Sequence, residues 1–160
     1  MQPILHPIAP VYDARSRVLV LGSFPSVRSR EEGFFYAHPR NRFWPVLAAI
    51  FNTPLPESIA EKRTLLLENG IALWDVAASC SVRGSEDASI RDVQGVDLQP
   101  ILETAHIERI FCNGQAAYRL YHSLLQPQAG RSATVLPSTS PANAAWSLQA
   151  LTEAWRVIAL

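Results

Sequence analysis

The sequence predicts an α/β fold, a three-layer α/β/α sandwich around a central, mainly parallel four-stranded sheet. Two observations predict it. Four short apolar runs are spread along the chain, each ending at glycine, proline or a polar residue. Helical patterns fill the intervals between them, and strands alternating with helices make a parallel sheet covered on both faces with right-handed crossovers. No internal repeat, low-complexity tract or linker interrupts the 160 residues, so one domain over 1–160 is expected. That length is enough to bury a substantial core.

The strands come first. Val18-Leu19-Val20-Leu21, ended by Gly22, reads as a strand buried on both faces. Ile71-Ala72-Leu73-Trp74 ends at Asp75, Arg109-Ile110-Phe111-Cys112 at Asn113-Gly114, and Thr134-Val135-Leu136 at Pro137-Ser138. Between them, Phe43 to Phe51 is apolar with Pro45 in its first turn, where proline is tolerated. Ser58 with Glu61 makes a capping box, and Asn69-Gly70 supplies the stop. Leu98 to Ala105 and Gln115 to Leu125 are further helices. The last helix is expected to start at Ser140 as N-cap with Pro141 at its first position, presenting Ala144, Leu148, Leu151, Trp155 and Ile158 as one apolar stripe.

Composition excludes several classes. Two cysteines, Cys80 and Cys112, give neither a disulfide framework nor metal-ligand spacing, and they exclude a four-cysteine iron–sulfur site built from this chain. No apolar stretch is long enough to span a bilayer and no signal-peptide pattern opens the chain, so the cytoplasm is the default expectation. Net charge is zero and announces no nucleic-acid partner. The distribution says more: Lys62 is the sole lysine among fourteen basic residues, and Arg15, Arg17, Arg28, Arg30, Arg40 and Arg42 lie within the first 42 residues. Arginine is the planar fork that suits phosphate, although a solvated Arg-rich surface gives the same composition.

In doubly wound folds the ligand sits beyond the carboxyl ends of the strands. Four segments follow strands here: Gly22 to Ser26, Asp75, Asn113-Gly114, and Pro137 to Asn143. Their convergence on one sheet edge is the physical argument for a site. Gly22-Ser23-Phe24-Pro25-Ser26 is a sharp turn that also has a purely structural reading, and it lacks the ending of a phosphate loop. Phe34, Phe35 and Tyr36 cannot all face one core, so one is expected at a cleft, beside arginines as base stacking and phosphate contact require. His38 has a structural reading as a hydrogen-bonded residue before a proline, and Asn41 has one as a helix cap. Ser138 to Asn143, a hydroxyl-rich turn expected to run into a helix N-terminus, is either a phosphate seat or a capped helix alone.

Taken in order, Gly-x-x-Pro-Ser, then Tyr36-Ala37-His38-Pro39-Arg40-Asn41-Arg42-Phe43-Trp44, then Pro137-Ser138-Thr139-Ser140-Pro141-Ala142-Asn143-Ala144 resemble the uracil-DNA glycosylase superfamily. The resemblance is strongest to its DNA-deoxyinosine (hypoxanthine-DNA) branch and extends from Val18 to the final helix. Around the middle block the chain is also similar to mismatch-specific uracil/thymine glycosylases. One departure bears on the chemistry. Those relatives place a water-holding asparagine two residues after the motif glycine, and uracil-specific members use aspartate, whereas this chain has Phe24. The resemblance then implies Asn41 as the catalytic water holder, Tyr36 as the aromatic stacked on the extruded base, and Asp75 as a base-recognising residue. Ser23, Phe24 and Asn113 complete the implied base site, and Ser26, Ser138, Ser140 and Asn143 the phosphate contacts.

The implied activity is hydrolysis of an N-glycosidic bond in DNA, with hypoxanthine the expected base, in base excision repair. The implied partner is double-stranded DNA carrying a damaged base, engaged by a monomer with no membrane, metal or cofactor. A lyase would need an amine nucleophile, and Lys62 falls in an expected surface helix. Two rivals remain open: a mismatch-specific uracil, thymine or xanthine glycosylase, and a non-catalytic DNA-binding module on the same fold. A small esterase is disfavoured because the Gly-x-Ser-x-Gly elbow is absent.

Overall fold

A computed structural model describes residues 3–81 and 91–159 of the chain. Its centre is β2 (Val18–Gly22), buried along its whole length. Parallel pairing joins β2 to β3 (Ile71–Asp75) on one side and to β6 (Arg109–Asn113) on the other, and β6 to β7 (Thr134–Leu136). The sheet order is β3-β2-β6-β7, and its four parallel strands are the four runs expected from the sequence. Because β3 and β6 flank β2, the crossovers diverge there, and the carboxyl ends of β2 and β6 form the switch point where such sheets hold ligands.

Both faces of the sheet are covered. Val18 and Val20 enter a core with Phe43, Val46 and Leu47 of α2 (Phe43–Ile50), Leu65 and Leu66 of α3 (Ile59–Glu68), and Leu151 and Trp155 of α7 (Leu148–Trp155). Leu19 and Leu21 enter a second core with Ile101 of α4 (Gln99–Thr104) and Ala117 of α5 (Gln115–Leu120). Successive strand residues point to opposite faces, so a strand feeding two cores is apolar throughout, which is the continuous run seen in the sequence.

The helix signals act locally as expected. Ser58 Oγ accepts from the Glu61 N–H at 3.0 Å while Glu61 Oε1 accepts from the Ser58 N–H at 3.1 Å. Gly70, at φ +70°, then turns the chain out of α3. The helix after β6 is regular over Gln115–Leu120, widens into one π turn over Tyr121–Leu125, and ends in α6 (Gln126–Ala129).

Three features were not expected. A three-stranded antiparallel sheet, β1 (Ile4–Leu5), β4 (Ala77–Ser81) and β5 (Arg91–Gly95) in the order β1-β4-β5, flanks the main one. The turn after β2 runs into α1 (Val27–Glu32), capped by Ser26. The final helix begins seven residues later than Ser140-Pro141 suggests: Ser147 is its N-cap, with its side chain accepting from the Ala150 N–H. Ser138 and Ser140 spend their hydroxyls on N–H groups two residues ahead, at Ser140 and Ala142, closing tight turns that compete with helix formation. Leu151, Trp155 and Ile158 keep their core positions, but Ala144 and Leu148 of the expected stripe are exposed.

The later start of the final helix has a measurable consequence. Leu151→Ala, at a fully buried position, should lower unfolding free energy in urea by about 2–5 kcal/mol. Leu148→Ala, at 45% exposure, should stay within about 0.5 kcal/mol of the parent.

Candidate active site

The ends of β2, β3 and β6 and the turn after β7 converge on a cleft of roughly 310 Å³, in the range of small-ligand pockets. Gly22 to Ser26, Asp75, Asn113 and Ser138 to Ala142 line it, and Phe35, Tyr36, His38 and Asn41 close the remaining side. Nine of the ten residues singled out from the sequence lie here; Asn143 is not a lining residue. Its Nδ2 donates to the Ser138 carbonyl at 2.9 Å, so its side chain ties the turn together.

Gly22 is the point of closest approach. A β-carbon there would lie 2.4 Å from Asp75 Oδ1 and 2.8 Å from the Tyr36 hydroxyl oxygen, so only glycine lets both oxygens crowd the end of β2. Of the three consecutive aromatics, Phe34 and Phe35 are buried and Tyr36 is half-buried at the cleft. Tyr36 has φ +53°, and its ring stacks on Phe43 at 4.2 Å. The sharp backbone turn thus sends the tyrosine away from its neighbours, toward the cleft.

Asn41 does two things at once. Its Oδ1 accepts from the Phe43 N–H at 2.9 Å, holding the first turn of α2, and from the Thr139 hydroxyl at 2.8 Å. No hydrogen bond engages its Nδ2 among the described residues, so one side of the amide is committed and the other is available to the cleft. Thr139, missed in the sequence, is fully buried. Asn113 clamps it at both ends: Asn113 Nδ2 donates to Thr139 Oγ1 at 3.0 Å, and the Thr139 N–H donates to Asn113 Oδ1 at 3.0 Å. The relay Asn113–Thr139–Asn41 therefore joins the end of β6, the turn after β7 and the start of α2. The only sequence signal for it was a hydroxyl between two serines in a turn.

A second unexpected partner is His6, whose Nε2 lies 2.8 Å from Asp75 Oδ2. The arginines also differ from expectation. Arg42 donates to the carbonyls of Ser140 (2.9 Å), Asn143 (3.0 Å) and Trp146, pinning the loop rather than facing solvent phosphate. Arg17 pairs with Glu108 and Arg28 with Glu32. Arg30 lies over the Phe24 ring at 5.6 Å, and Arg40 is exposed.

The cleft holds no strong nucleophile among the described residues. Cys112 is adjacent in β6, but burial pushes its thiol up to about 12. Lys62 of α3 sits over the Trp44 ring of α2, with burial lowering its affinity for the proton, and it does not line the cleft. No group of three or more His, Cys, Asp or Glu suited to a metal occurs among the described residues. No helix among them is long and apolar enough to cross a membrane. The site offers a carboxylate acceptor, amides, hydroxyls and aromatic faces.

Fold and site together define a doubly wound α/β protein whose switch-point cleft is lined by a carboxylate, amides, hydroxyls and aromatic faces. Its lineage is specific: residues 9–159 match the uracil DNA glycosylase superfamily, and the chain belongs to that superfamily. It is 35% identical over 139 residues to a hypoxanthine DNA glycosylase of Methanosarcina acetivorans, covering 86% of this chain and 87% of the relative. A hypoxanthine DNA glycosylase of Methanosarcina barkeri is 31% identical, with 84% and 85% covered. The solution NMR structure of a candidate uracil DNA glycosylase from M. acetivorans superposes with a TM-score of 0.78 at 29% identity, covering 94% of this chain and 96% of that one.

The relay can be tested by stability. Thr139→Val keeps the side-chain shape but leaves the Asn41 and Asn113 amides short of a partner, and should cost about 1–3 kcal/mol in urea unfolding. Thr139→Ser, which retains the hydroxyl, should lose less.

Proposed function

We propose that this chain is a monofunctional DNA glycosylase that excises hypoxanthine by hydrolysing its N-glycosidic bond, as a step of base excision repair. The observation that carries the reading is Asn41: a neutral amide fixed at the cleft by two hydrogen bonds to its oxygen, with its nitrogen uncommitted among the described residues. The names of the two Methanosarcina relatives support hypoxanthine as the base.

A base inside the duplex cannot present its glycosidic bond to a cleft, so the nucleotide is extruded. Tyr36, backed by Phe43, stacks on the base. Asp75 accepts a hydrogen bond from N1–H of hypoxanthine, and the backbone at Ser23 and Phe24 lies at the same edge to meet O6. Asn113 serves the base site through Thr139. Ser26, Ser138 and Ser140 face flanking phosphates, on a turn that Asn143 and Arg42 hold in shape. The bond between C1′ and the base nitrogen breaks with its electron pair leaving on the base, and the sugar becomes oxocarbenium-like. Water held by Asn41 then adds to C1′, and its proton is lost to solvent or to the departing base. A cationic sugar needs a placed nucleophile rather than a strong one, which suits an amide.

The direct test is single-turnover excision from duplexes containing hypoxanthine, uracil, xanthine or mispaired thymine. Hypoxanthine should be released fastest. Faster release of uracil or thymine would favour the mismatch-specific reading, and no release by folded protein would favour a binding module. Asn41→Ala should lower hypoxanthine excision by about two to three orders of magnitude with little change in duplex affinity. Circular dichroism must show an intact fold, because Asn41 also holds the start of α2.

Affinity for duplex DNA should fall steeply with added salt, because phosphate contacts release counterions. A flat salt dependence in a filter or anisotropy assay would remove the phosphate contacts from the reading.

A further inference from the structure

His6 stands behind the cleft, against its lining residue Asp75, on a segment that the sequence left without a role. Backbone hydrogen bonds fix it from both sides. The His6 N–H donates to the Ala78 carbonyl at 2.8 Å, and Val11 exchanges hydrogen bonds with Leu73 at 3.0 and 2.9 Å. Its ring is caged by Phe24 at 5.8 Å (86°), Phe35 at 6.1 Å and Trp74 at 6.3 Å (71°), and its side chain is only 4% exposed. An apolar side chain would fill such a cage at lower cost than a buried polar pair, which must repay its desolvation. The polar choice therefore calls for a reason beyond packing.

The hydrogen bonds supply it. His6 Nδ1 lies 3.1 Å from the Ile8 N–H, which can only donate, so Nδ1 is the acceptor and carries no proton. The ring hydrogen is then on Nε2, 2.8 Å from Asp75 Oδ2, and is donated to the carboxylate. Asp75 is 3% exposed, and its other oxygen, Oδ1, is the one that crowds Gly22 at the cleft. One carboxylate oxygen is thus held by a donor, and the other is left as an acceptor.

We infer that His6 is the specificity-positioning residue of the cleft, holding Asp75 as an acceptor for bases whose hydrogen-bonding edge carries a ring N–H. The chemistry of deamination makes this a discriminating feature. Conversion of adenine to hypoxanthine changes N1 from an acceptor to an N–H donor, and conversion of cytosine to uracil does the same at N3. A carboxylate fixed as acceptor attracts the deaminated base and repels the lone pair of the parent. If Asp75 were free to rotate or to present a hydroxyl, it would meet either. This inference rests on the reading of Asp75 as the residue that contacts the base.

The test has two arms. In wild-type protein, nitrogen-15 shifts of the His6 ring should show a neutral ring protonated at Nε2, and the Nδ1–H tautomer or a doubly protonated ring would overturn the inference. In single-turnover assays His6→Leu should slow hypoxanthine excision by about 10- to 100-fold, the scale on which a supporting hydrogen-bond partner tunes a ligand. Binding to a duplex with a tetrahydrofuran abasic site, which presents no base, should be unchanged. His6→Gln, whose amide nitrogen reaches the place of Nε2, should recover most of the rate. In an Asp75→Ala background His6→Leu should have no further effect. Equal excision by wild type and His6→Leu overturns the inference, as does a loss that persists without Asp75. Wild-type protein with no activity on hypoxanthine instead overturns the proposed substrate. The ring tautomer stays a valid test even if His6→Leu does not fold.

Discussion

Thr139 is the buried polar residue through which the rest of the site is held. Three loops that are far apart in sequence must keep their relative positions to within a hydrogen-bond length, and loops do not do so unaided. Thr139 is fully buried, with its N–H given to Asn113 and its hydroxyl shared between Asn113 and Asn41. A buried polar residue is tolerable only when satisfied, and here satisfaction requires both neighbouring loops to be in place. The same contacts that offset the burial cost therefore fix the Asn41 amide at the cleft. Arg42 extends the arrangement, gathering the carbonyls of Ser140, Asn143 and Trp146 onto the start of α2.

The chemistry that this frame permits is one of placement. No lysine lines the cleft, the neighbouring thiol is buried and held protonated, and no metal-suited cluster is present among the described residues. What remains is a neutral amide, a carboxylate with one oxygen already hydrogen-bonded, and an aromatic stacked on a second ring. Reactions whose electrophile becomes cationic need little more, because a weakly nucleophilic water suffices once it is held at the right distance.

Charge is used with the same economy. The net charge of zero hides an arginine-rich chain in which several guanidinium groups are engaged by the chain's own carbonyls or, at the surface, by its own acidic side chains. The contrast between Arg42, bound to a loop, and exposed Arg40, two residues earlier, shows how little composition says about the surface a duplex would meet.

Much of the fold was legible because it rests on local rules. Short, largely apolar runs at Val18, Ile71, Arg109 and Thr134 mark the four strands, the central one buried along its whole length, and Ser58 with Glu61 encodes a capping box whose geometry needs only four residues. The switch-point rule then brought Gly22, Asp75, Asn113 and Ser138 to one edge. Tertiary contacts decided the rest. Ser140-Pro141 carries a sound helix-start signal, yet short-range hydroxyl turns and the pull of Arg42 keep that segment non-helical until Ser147. The small residues of Ala77–Ser81 and the two-residue strand Ile4–Leu5 have too little periodicity to announce a sheet, and only their mutual pairing creates one. That pairing delivers His6 to Asp75 across 69 residues of sequence, as the turn after β7 delivers Thr139 to Asn41 across 98. Sequence alone determined most of the side chains that line the cleft, but neither Thr139 nor its partner-holding counterpart His6. The long-range hydrogen bonds decided which of their atoms are committed and which face the cleft, because an atom's availability depends on partners that local patterns do not specify.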